Sequence, residues 1–350
     1  MIYETTIVEK DIFEIAHFVK QSLFRLEGKN IVITGATGML ASYIVYVLMY
    51  ANEHFFEKQA NIYLITRNKR KKFGKKKYFH YCYQNITKQL KLPTMHYLIH
   101  AASKASPKFY SDNMIDTIDT NILGLYSLLR LCTSETESLL YFSSSEIYGE
   151  VKNKKPVNES YCGIVDHLNK RSCYIEAKKA AESIAMNYFW EKGIPIKIAR
   201  IFHTFGPGMN LYDGRVFSDF IRFGLEKKNI LIQGDPSIRR SMLYIKDATI
   251  MFLKILLSNR NGEVYNVGSE KNITSIEEFA HIVCNSFNEL DKQTYQVLLK
   301  KNQQNEYYKN AVKYILPSLK KFKRDFNYQP TTTIEESAQR TIKHFLEFKK

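Results

Sequence analysis

The sequence predicts an α/β fold in which a doubly wound parallel sheet, covered by helices on both faces, precedes a smaller C-terminal α/β region. Short apolar runs rich in β-branched residues alternate with segments of helical periodicity between Asn30 and Ile201. After about residue 203 this alternation gives way to Gly- and Pro-rich loops with short helices. The 350 residues, 45% hydrophobic and 25% charged, are enough for one large globular domain or two smaller ones.

The first predicted strand is Asn30–Thr34, and a helical segment at residues 40–50 follows it after a glycine-containing turn. Five further runs have the length and the apolar content of buried strands. They are Ile62–Thr66, Tyr97–His100, Leu139–Phe142, Ile196–Ile201 and Val264–Val267. Helical segments at residues 113–133 and 173–192 lie between the later runs. Because helices connect consecutive strands, we expect the strands to run parallel.

These elements divide the chain into three predicted parts. Residues 1–27 form a helical N-terminal extension that packs on the main body, with apolar residues at near-helical spacing: Ile12, Phe13, Ile15, Ala16, Phe18 and Val19. Residues 28–202 form the domain that contains the sheet. Residues 203–350 form mainly a second, substrate-binding region, and part of 240–268 returns to the sheet.

Charge and composition narrow the classes of function. The net charge is +16, much of it in Lys69–Lys77, but no nucleic-acid-binding module accompanies this cluster, so we expect no specific nucleic-acid partner. A basic protein also suits an anionic small substrate. No run approaches the roughly 18 apolar residues of a membrane span, and no membrane partner is expected. The five dispersed cysteines include no Cys-x-x-Cys pair, which favours a cytoplasmic protein without a disulfide framework or a metal site.

The segment between the first strand and the first helix has the pattern of a dinucleotide-binding turn, Gly35-Ala36-Thr37-Gly38-Met39-Leu40-Ala41. Glycine is needed there because a β-carbon would block the turn and the approach of a pyrophosphate to the backbone N–H groups at the helix start. A tight turn without a ligand is the alternative. The flanking strand and helix favour a Rossmann-type domain whose cofactor-binding residues include Gly35, Thr37, Gly38, Met39 and Leu40.

The end of the second predicted strand bears on the choice of cofactor. An acidic residue there would hydrogen-bond the adenosine ribose and indicate NAD. The sequence has Thr66-Arg67-Asn68 instead, and Arg67 could bind a 2′-phosphate. NAD is the expected cofactor and NADP is left open. Arg67 is either a cofactor-binding residue or a solvated loop residue.

Tyr174 and Lys178 are the candidate catalytic pair. Residues four apart share a helix face, so we expect the Lys178 ammonium beside the Tyr174 phenol, where its charge favours the phenolate. A phenol with a pKa near 10 is otherwise a poor base at neutral pH. Roughly thirty residues upstream, Ser144 in a serine-rich strand end supplies a hydroxyl for the reacting oxygen of a substrate. These residues predict a hydride-transfer site; for the serines, a polar strand end before a turn is the alternative.

In this order, the motifs resemble those of the extended short-chain dehydrogenase/reductases that modify nucleotide sugars, the NAD-dependent epimerase/dehydratase family. The resemblance runs from about Lys29 to about Phe345 and includes Asn121 and Ala199–Gly208. It also includes His100-Ala101-Ala102-Ser103, and it implies that Ala101 and Ala102, with Tyr174 and Lys178, contact the dinucleotide. It further implies a nucleotide-sugar substrate and a homodimer formed through the helical segments 113–133 and 173–192.

Within this family the motifs are most similar to those of the UDP-glucuronate decarboxylases. Ser144-Ser145-Glu146 stands where that branch has Thr-Ser-Glu, and the 4,6-dehydratases usually carry Thr-Asp-Glu there. The sequence departs from the branch at His203, which replaces a substrate-contacting Asn, and at Gly208, which replaces an Arg. The resemblance implies Glu146 as a further catalytic residue and the following substrate-binding residues: Ser106, Ser145, Arg171, His203, Arg215 and Arg240.

The resemblance implies a reaction that begins with transient oxidation at sugar position 4. Tyr174, assisted by Lys178 and Ser144, would take the 4-hydroxyl proton as hydride passes to the nicotinamide. A carboxylate at position 5 would then be lost as carbon dioxide, with Glu146 and Arg240 handling the carboxylate and the reprotonation, before hydride returns. A 4-reductase, 4-epimerase or 4,6-dehydratase is the alternative within the family. A catalytically idle dinucleotide-binding protein is a more distant one.

Overall fold

The computed structural model describes residues 3–67, 69, 72–103, 105–151, 155–170, 172–291, 293–300 and 314–348. The strands are β1 (Asn30–Thr34), β2 (Asn61–Thr66), β3 (Phe79–Tyr83), β4 (Tyr97–His100), β5 (Ser138–Ser144), β6 (Ile196–Ile201), β7 (Thr204–Phe205), β8 (Ile230–Ile232), β9 (Arg239–Ser241), β10 (Leu243–Tyr244), β11 (Glu263–Val267), β12 (Ile273–Ser275), β13 (Val297–Leu299) and β14 (Tyr314–Ile315). The helices are α1 (Thr6–Phe18), α2 (Lys20–Leu23), α3 (Met39–His54), α4 (Pro107–Asp112), α5 (Met114–Leu129), α6 (Ser172–Lys192), α7 (Val216–Leu225), α8 (Ile245–Leu256), α9 (Ile276–Asp291), α10 (Lys320–Phe326) and α11 (Ile334–Phe348). Short 3-10 helices cover Phe24–Leu26 and Ser145–Tyr148.

Seven parallel strands form the central sheet in the order β11-β6-β5-β4-β1-β2-β3. The chain steps outward from β1 to β3 and then, in the other direction, from β4 to β11, which is the doubly wound arrangement. Every residue of β4 and β5 is buried, as expected for strands that are covered on both faces. The predicted fold class is confirmed.

Helices cover both faces of this sheet. On one face, α3 and α8 share a core with α1 and with the sheet residues Ile31 and Ile33. On the other face, Leu125 and Leu128 of α5 and Ala181 of α6 pack on the neighbouring side chains of the same strands. Because β1, β4, β5 and β6 all run in one direction, their carboxyl ends meet at one edge, where a crevice can form. Within the described residues, no helix is long and apolar enough to cross a membrane.

The N-terminal extension packs on the main body through α1. The Thr5 side chain accepts a hydrogen bond from the Val8 N–H and so caps the helix. Phe13 and Phe18, predicted on the apolar face, are 51% and 55% exposed, because the buried stripe of α1 that faces α3 and α8 consists of Val8, Ile12, Ile15 and Ala16. The buried carboxylate of Asp11 accepts hydrogen bonds from Tyr43 (3.0 Å) and Tyr244 (2.6 Å).

The C-terminal part builds a second core from α7, α9 and α11. Small sheets order its loops: β12-β9-β14, β10-β7 and β13-β8. β11 leaves this region and pairs with β6 in the central sheet, with Val264 beside Ile198. The division at residues 27 and 202 stays a prediction, and β11 is a segment of the third part that lies in the sheet.

Candidate active site

A cavity of about 940 Å³ opens at the carboxyl ends of β1, β4, β5 and β6. Most of the predicted site residues lie on its wall: Gly35, Thr37, Gly38, Met39, Leu40, Ala101, Ser106, Ser144, Ser145, Glu146, Tyr174, Lys178, His203, Arg215 and Arg240. Arg67 and Ala102 are described residues that do not line it. Arg171 lies outside the described residues. The fold therefore brings the two predicted halves of the site, dinucleotide and substrate, to one cavity.

The turn after β1 fits a dinucleotide. Gly35 has a φ of +63°, and a β-carbon there would lie 2.8 Å from both Cα and N of Ala102. The Ala102 N–H in turn donates to the Thr34 hydroxyl at 3.1 Å, which joins the ends of β1 and β4. α3 begins after Gly38 without a side-chain cap, so its first N–H groups are available to a phosphate. The sequence analysis missed Thr34, because its role needs the neighbouring strand.

Arg67 directly follows β2 and does not line the cavity. Its side chain is 58% exposed, and its Nη1 is 3.5 Å from the Asp116 carboxylate. Its two predicted roles, cofactor-binding residue and solvated loop residue, both stay predictions. No acidic residue stands at the end of β2, so this strand end supplies no carboxylate for a ribose.

Tyr174 and Lys178 are buried one turn apart near the start of α6. The Lys178 ammonium donates a hydrogen bond to the Phe142 carbonyl and lies 5.7 Å from the Tyr174 ring centroid. Burial lowers the pKa of Lys178 to about 7, against an opposing effect of Glu182. The lysine is therefore easily deprotonated in this environment.

The groups around Tyr174 favour the phenol, which differs from the expected phenolate. Burial is the main cause that raises the pKa of Tyr174, and the Glu146 carboxylate raises it further. A hydrogen bond with Ser144 and the positive charge of Arg215 act in the opposite direction. The sequence argument considered the lysine alone and omitted desolvation and the acidic neighbour.

Tyr110 of α4 was missed by the sequence analysis. Its ring is fully buried and stacks on the Tyr174 ring, with centroids 5.2 Å apart and planes 7° apart. The Cys173 thiol also lies 3.9 Å from the Tyr110 carbonyl oxygen. α4 thereby contacts the start of α6 and supports the Tyr174 ring from one side. In the sequence, Tyr110 stands out only because it comes four residues after Ser106, which the family resemblance implies as a substrate-binding residue.

The substrate side of the cavity combines one imidazole with two guanidinium groups. Nδ1 of His203 is buried and has no hydrogen-bond partner in the described part of the chain, and burial, with Arg240 and Arg215 nearby, lowers the pKa of His203 to about 3. Arg215 Nε donates to the buried Asp213 carboxylate at 2.7 Å. The Ser106 hydroxyl is likewise buried without a partner among the described residues. A neutral imidazole between cations suits an anionic ligand with hydrogen-bonding oxygens.

The described residues contain no group of His, Cys, Asp and Glu side chains arranged to hold a metal ion. The five cysteines are free thiols.

Comparison with known proteins identifies the family of this chain. UDP-glucuronic acid decarboxylase 6 of Arabidopsis thaliana is 32% identical over 259 residues, which cover 74% of this chain and 75% of that protein. UDP-glucuronic acid decarboxylase 1 of the same plant is 30% identical over 323 residues, 90% of this chain and 69% of that protein. The crystal structure of UDP-glucuronic acid 4-epimerase from Bacillus cereus, in complex with UDP-glucuronic acid and NAD, matches the fold with a TM-score of 0.73 at 20% identity, over 91% of this chain and 99% of that one. The profile described as "NAD dependent epimerase/dehydratase family" matches residues 31–268, and the chain belongs to that family.

Proposed function

We propose that the protein is a NAD-dependent decarboxylase of UDP-glucuronic acid. The observation that carries this proposal is the identity of about a third with UDP-glucuronic acid decarboxylases across three quarters of the chain. The cavity supports it, because Arg215 and Arg240 on its wall match the carboxylate and the diphosphate of such a substrate. The nucleotide-sugar class follows from the family, and the particular sugar is the proposed part.

The dinucleotide end of the cavity is formed by Gly35, Thr37, Gly38, Met39, Leu40 and Ala101. When bound, NAD accepts a hydride from the sugar and later returns it. The Tyr174 oxygen is the proton acceptor for the 4-hydroxyl of the sugar. Ser144 makes a hydrogen bond with the Tyr174 oxygen and holds that oxygen in place. Lys178, with its pKa lowered to about 7, fixes the end of β5 through the Phe142 carbonyl.

The remaining wall residues handle the sugar. Oxidation at position 4 makes the 5-carboxylate a β-keto acid, so carbon dioxide leaves as the ketone accepts the electron pair. Glu146 lies beside Tyr174, close enough for its charge to act on the phenol, and is the proposed proton donor to position 5. Arg240 and His203, with Ser106 and Ser145, are the proposed substrate-binding residues, and Arg171 stays a prediction.

The test is incubation of the full chain with NAD and with UDP-glucuronic acid labelled with carbon-14 in its carboxylate. We expect labelled carbon dioxide and a UDP-pentose, and we expect Tyr174→Phe to abolish both. Release of no label by a folded, NAD-binding protein would reject decarboxylation. If Tyr174→Phe left turnover unchanged, the assignment of the proton acceptor would be wrong.

A 4-epimerase is the second candidate, and one observation favours it. His203 replaces the Asn that contacts substrate in the decarboxylases, and its buried Nδ1, at the substrate side of the cavity, has no hydrogen-bond partner among the residues that the structure describes. The same incubation separates the two reactions, because epimerisation yields a UDP-hexuronic acid of unchanged mass and no carbon dioxide. A reductase would instead consume a reduced dinucleotide stoichiometrically.

We also propose that the protein is a cytoplasmic homodimer that pairs through α5 and α6, without a nucleic-acid partner. These helices carry exposed apolar side chains at Ile115, Leu123 and Trp190. Light scattering after size-exclusion chromatography should give a mass in solution of twice the chain mass. For Leu123→Glu the measured mass should fall to that of a single chain. Leu168→Glu, at a residue that is even more exposed and lies in a loop, is the matched control and should not change the mass.

A further inference from the structure

An ion pair between the N-terminal extension and the loop after β2 lies against the dinucleotide-binding turn. Lys72 Nζ is 3.4 Å from the Thr37 carbonyl oxygen, in the middle of that turn. The same ammonium is 3.3 Å from Oε1 of Glu4. Both side chains are mostly buried, at 19% and 22% exposure, so they are shielded from bulk water. A shielded ion pair interacts more strongly with its neighbours than an exposed one.

Glu4 is held in this position by more than Lys72. Tyr46, a buried residue of α3, makes a side-chain hydrogen bond to the Glu4 carboxylate. The Lys72 ammonium also lies 5.9 Å from the Tyr46 ring centroid. The carboxylate is therefore fixed on α3, the helix whose start faces the dinucleotide phosphates.

This position matters because the usual partner of the ribose is missing. A dinucleotide runs across the turn after β1, and the residue at the end of β2 lies beside the adenosine ribose. Here that residue is Arg67, which is exposed and paired with Asp116. We infer that the Glu4–Lys72 ion pair forms the ribose end of the dinucleotide site, with Glu4 in place of the acidic residue that β2 lacks.

The pair supplies both an acceptor and a donor. The carboxylate of Glu4 accepts a hydrogen bond from a ribose hydroxyl, as the acidic residue of β2 does elsewhere. The ammonium has three donors, of which Thr37 and Glu4 take two, and we expect a ribose oxygen or a 2′-phosphate to accept the third. Glu4 repels a 2′-phosphate and Lys72 attracts it, so the balance of the two charges sets the preference for NAD over NADP.

Two substitutions should therefore shift that preference in opposite directions. Glu4→Gln removes the negative charge and leaves Lys72 free to bind a 2′-phosphate, so the ratio of the NADP to the NAD dissociation constant should fall about tenfold. Lys72→Met leaves Glu4 to repel the 2′-phosphate, and the same ratio should rise about tenfold. Isothermal titration calorimetry of the full chain with each dinucleotide measures both ratios, after co-purified dinucleotide has been measured by absorbance and removed.

The same loop offers a matched control pair. Lys76 Nζ is 2.8 Å from Oε1 of Glu53, and Lys76→Met and Glu53→Gln should leave the ratio within twofold of the wild-type value. Should Glu4→Gln fail to fold because it loses its contact with Tyr46, Lys72→Met still tests the inference alone. A ratio that does not move in Lys72→Met, or that moves only in Arg67→Met, overturns it. The readout is binding, so its outcome is independent of which sugar the enzyme modifies.

Discussion

The stack of Tyr110 on Tyr174 predicts that a residue outside the catalytic group controls the rate. We consider the substitution Tyr110→Leu, which keeps an apolar side chain and removes the ring. An aromatic pair contributes about 0.5–1.5 kcal/mol beyond the area that it buries. The ring is fully buried, and its loss also leaves part of a cavity, so we expect the free energy of unfolding to fall by about 2–3 kcal/mol.

The effect on catalysis should exceed the effect on substrate binding. Without the stack, the Tyr174 ring can rotate away from Ser144, and misplacement of a catalytic group by about 1 Å can cost about a hundredfold in rate. We therefore expect kcat to fall by ten- to a hundredfold while KM changes less than threefold. Urea denaturation gives the stability, and stopped-flow absorbance of the reduced dinucleotide gives the rate of hydride transfer.

Tyr110→Phe is the matched control, since it keeps the ring and the stacking geometry. It should retain most of the wild-type kcat. Tyr110→Leu could lower the free energy of unfolding as expected and still keep the wild-type rate of hydride transfer. In that case the stack would be a packing contact only, and the argument that it positions Tyr174 would be refuted.

Three further predictions concern Gly35, Lys197 and Asp11. Gly35→Ala should weaken NAD binding at least tenfold in a calorimetric titration. A positive φ costs a residue with a β-carbon roughly 1–2 kcal/mol, and the β-carbon of Ala would lie 2.8 Å from the Ala102 backbone. Unchanged affinity would argue against the turn as the phosphate site. Burial lowers the pKa of Lys197 from 10.5 to about 7, so the folded state binds fewer protons than the unfolded state between these values and the free energy of unfolding rises with pH there. Lys197→Met should therefore be more stable than the wild type by at most about 5 kcal/mol below pH 7, and urea denaturation should find this gain shrinking toward pH 10.5. Asp11→Asn should lower the free energy of unfolding by about 1–3 kcal/mol, because an amide cannot accept the hydrogen bonds of Tyr43, Tyr244 and Arg340 at both of its ends, while Glu14 and Glu336 still pair with Arg340; thermal melts within a degree of the wild type would contradict this.

The central sheet was predictable because its strands are buried on both faces and read as continuous apolar runs. β1, β4 and β6 have the predicted bounds, and β2 begins one residue earlier than predicted. β3 was not predicted. It lies at the edge of the sheet, is only partly buried, and follows directly after the Lys69–Lys77 cluster, so its sequence lacks the apolar run that marks the other strands.

The candidate site was predictable where its residues are close in the sequence. Gly35 and Gly38 share one turn, and Tyr174 and Lys178 share one helix face, so spacing alone identifies each pair. Contacts between distant segments left no such signal. Glu4 meets Lys72 only because α1 packs on α3, and nothing in the sequence relates two residues so far apart.

Charges from several segments also decide the state of Tyr174. Local spacing suggested that Lys178 makes it a phenolate, but the Lys178 ammonium is directed to the Phe142 carbonyl and burial lowers its own pKa to about 7. Burial and Glu146 raise the pKa of Tyr174, and Arg215 only partly compensates. These groups keep Tyr174 as a phenol, which must lose its own proton before it can accept one from a substrate. Added positive charge favours that loss, and the oxidised nicotinamide ring carries such a charge. With Tyr174 as the proposed proton acceptor, we expect the dinucleotide to bind before the sugar, because only then is its phenol prepared for the 4-hydroxyl.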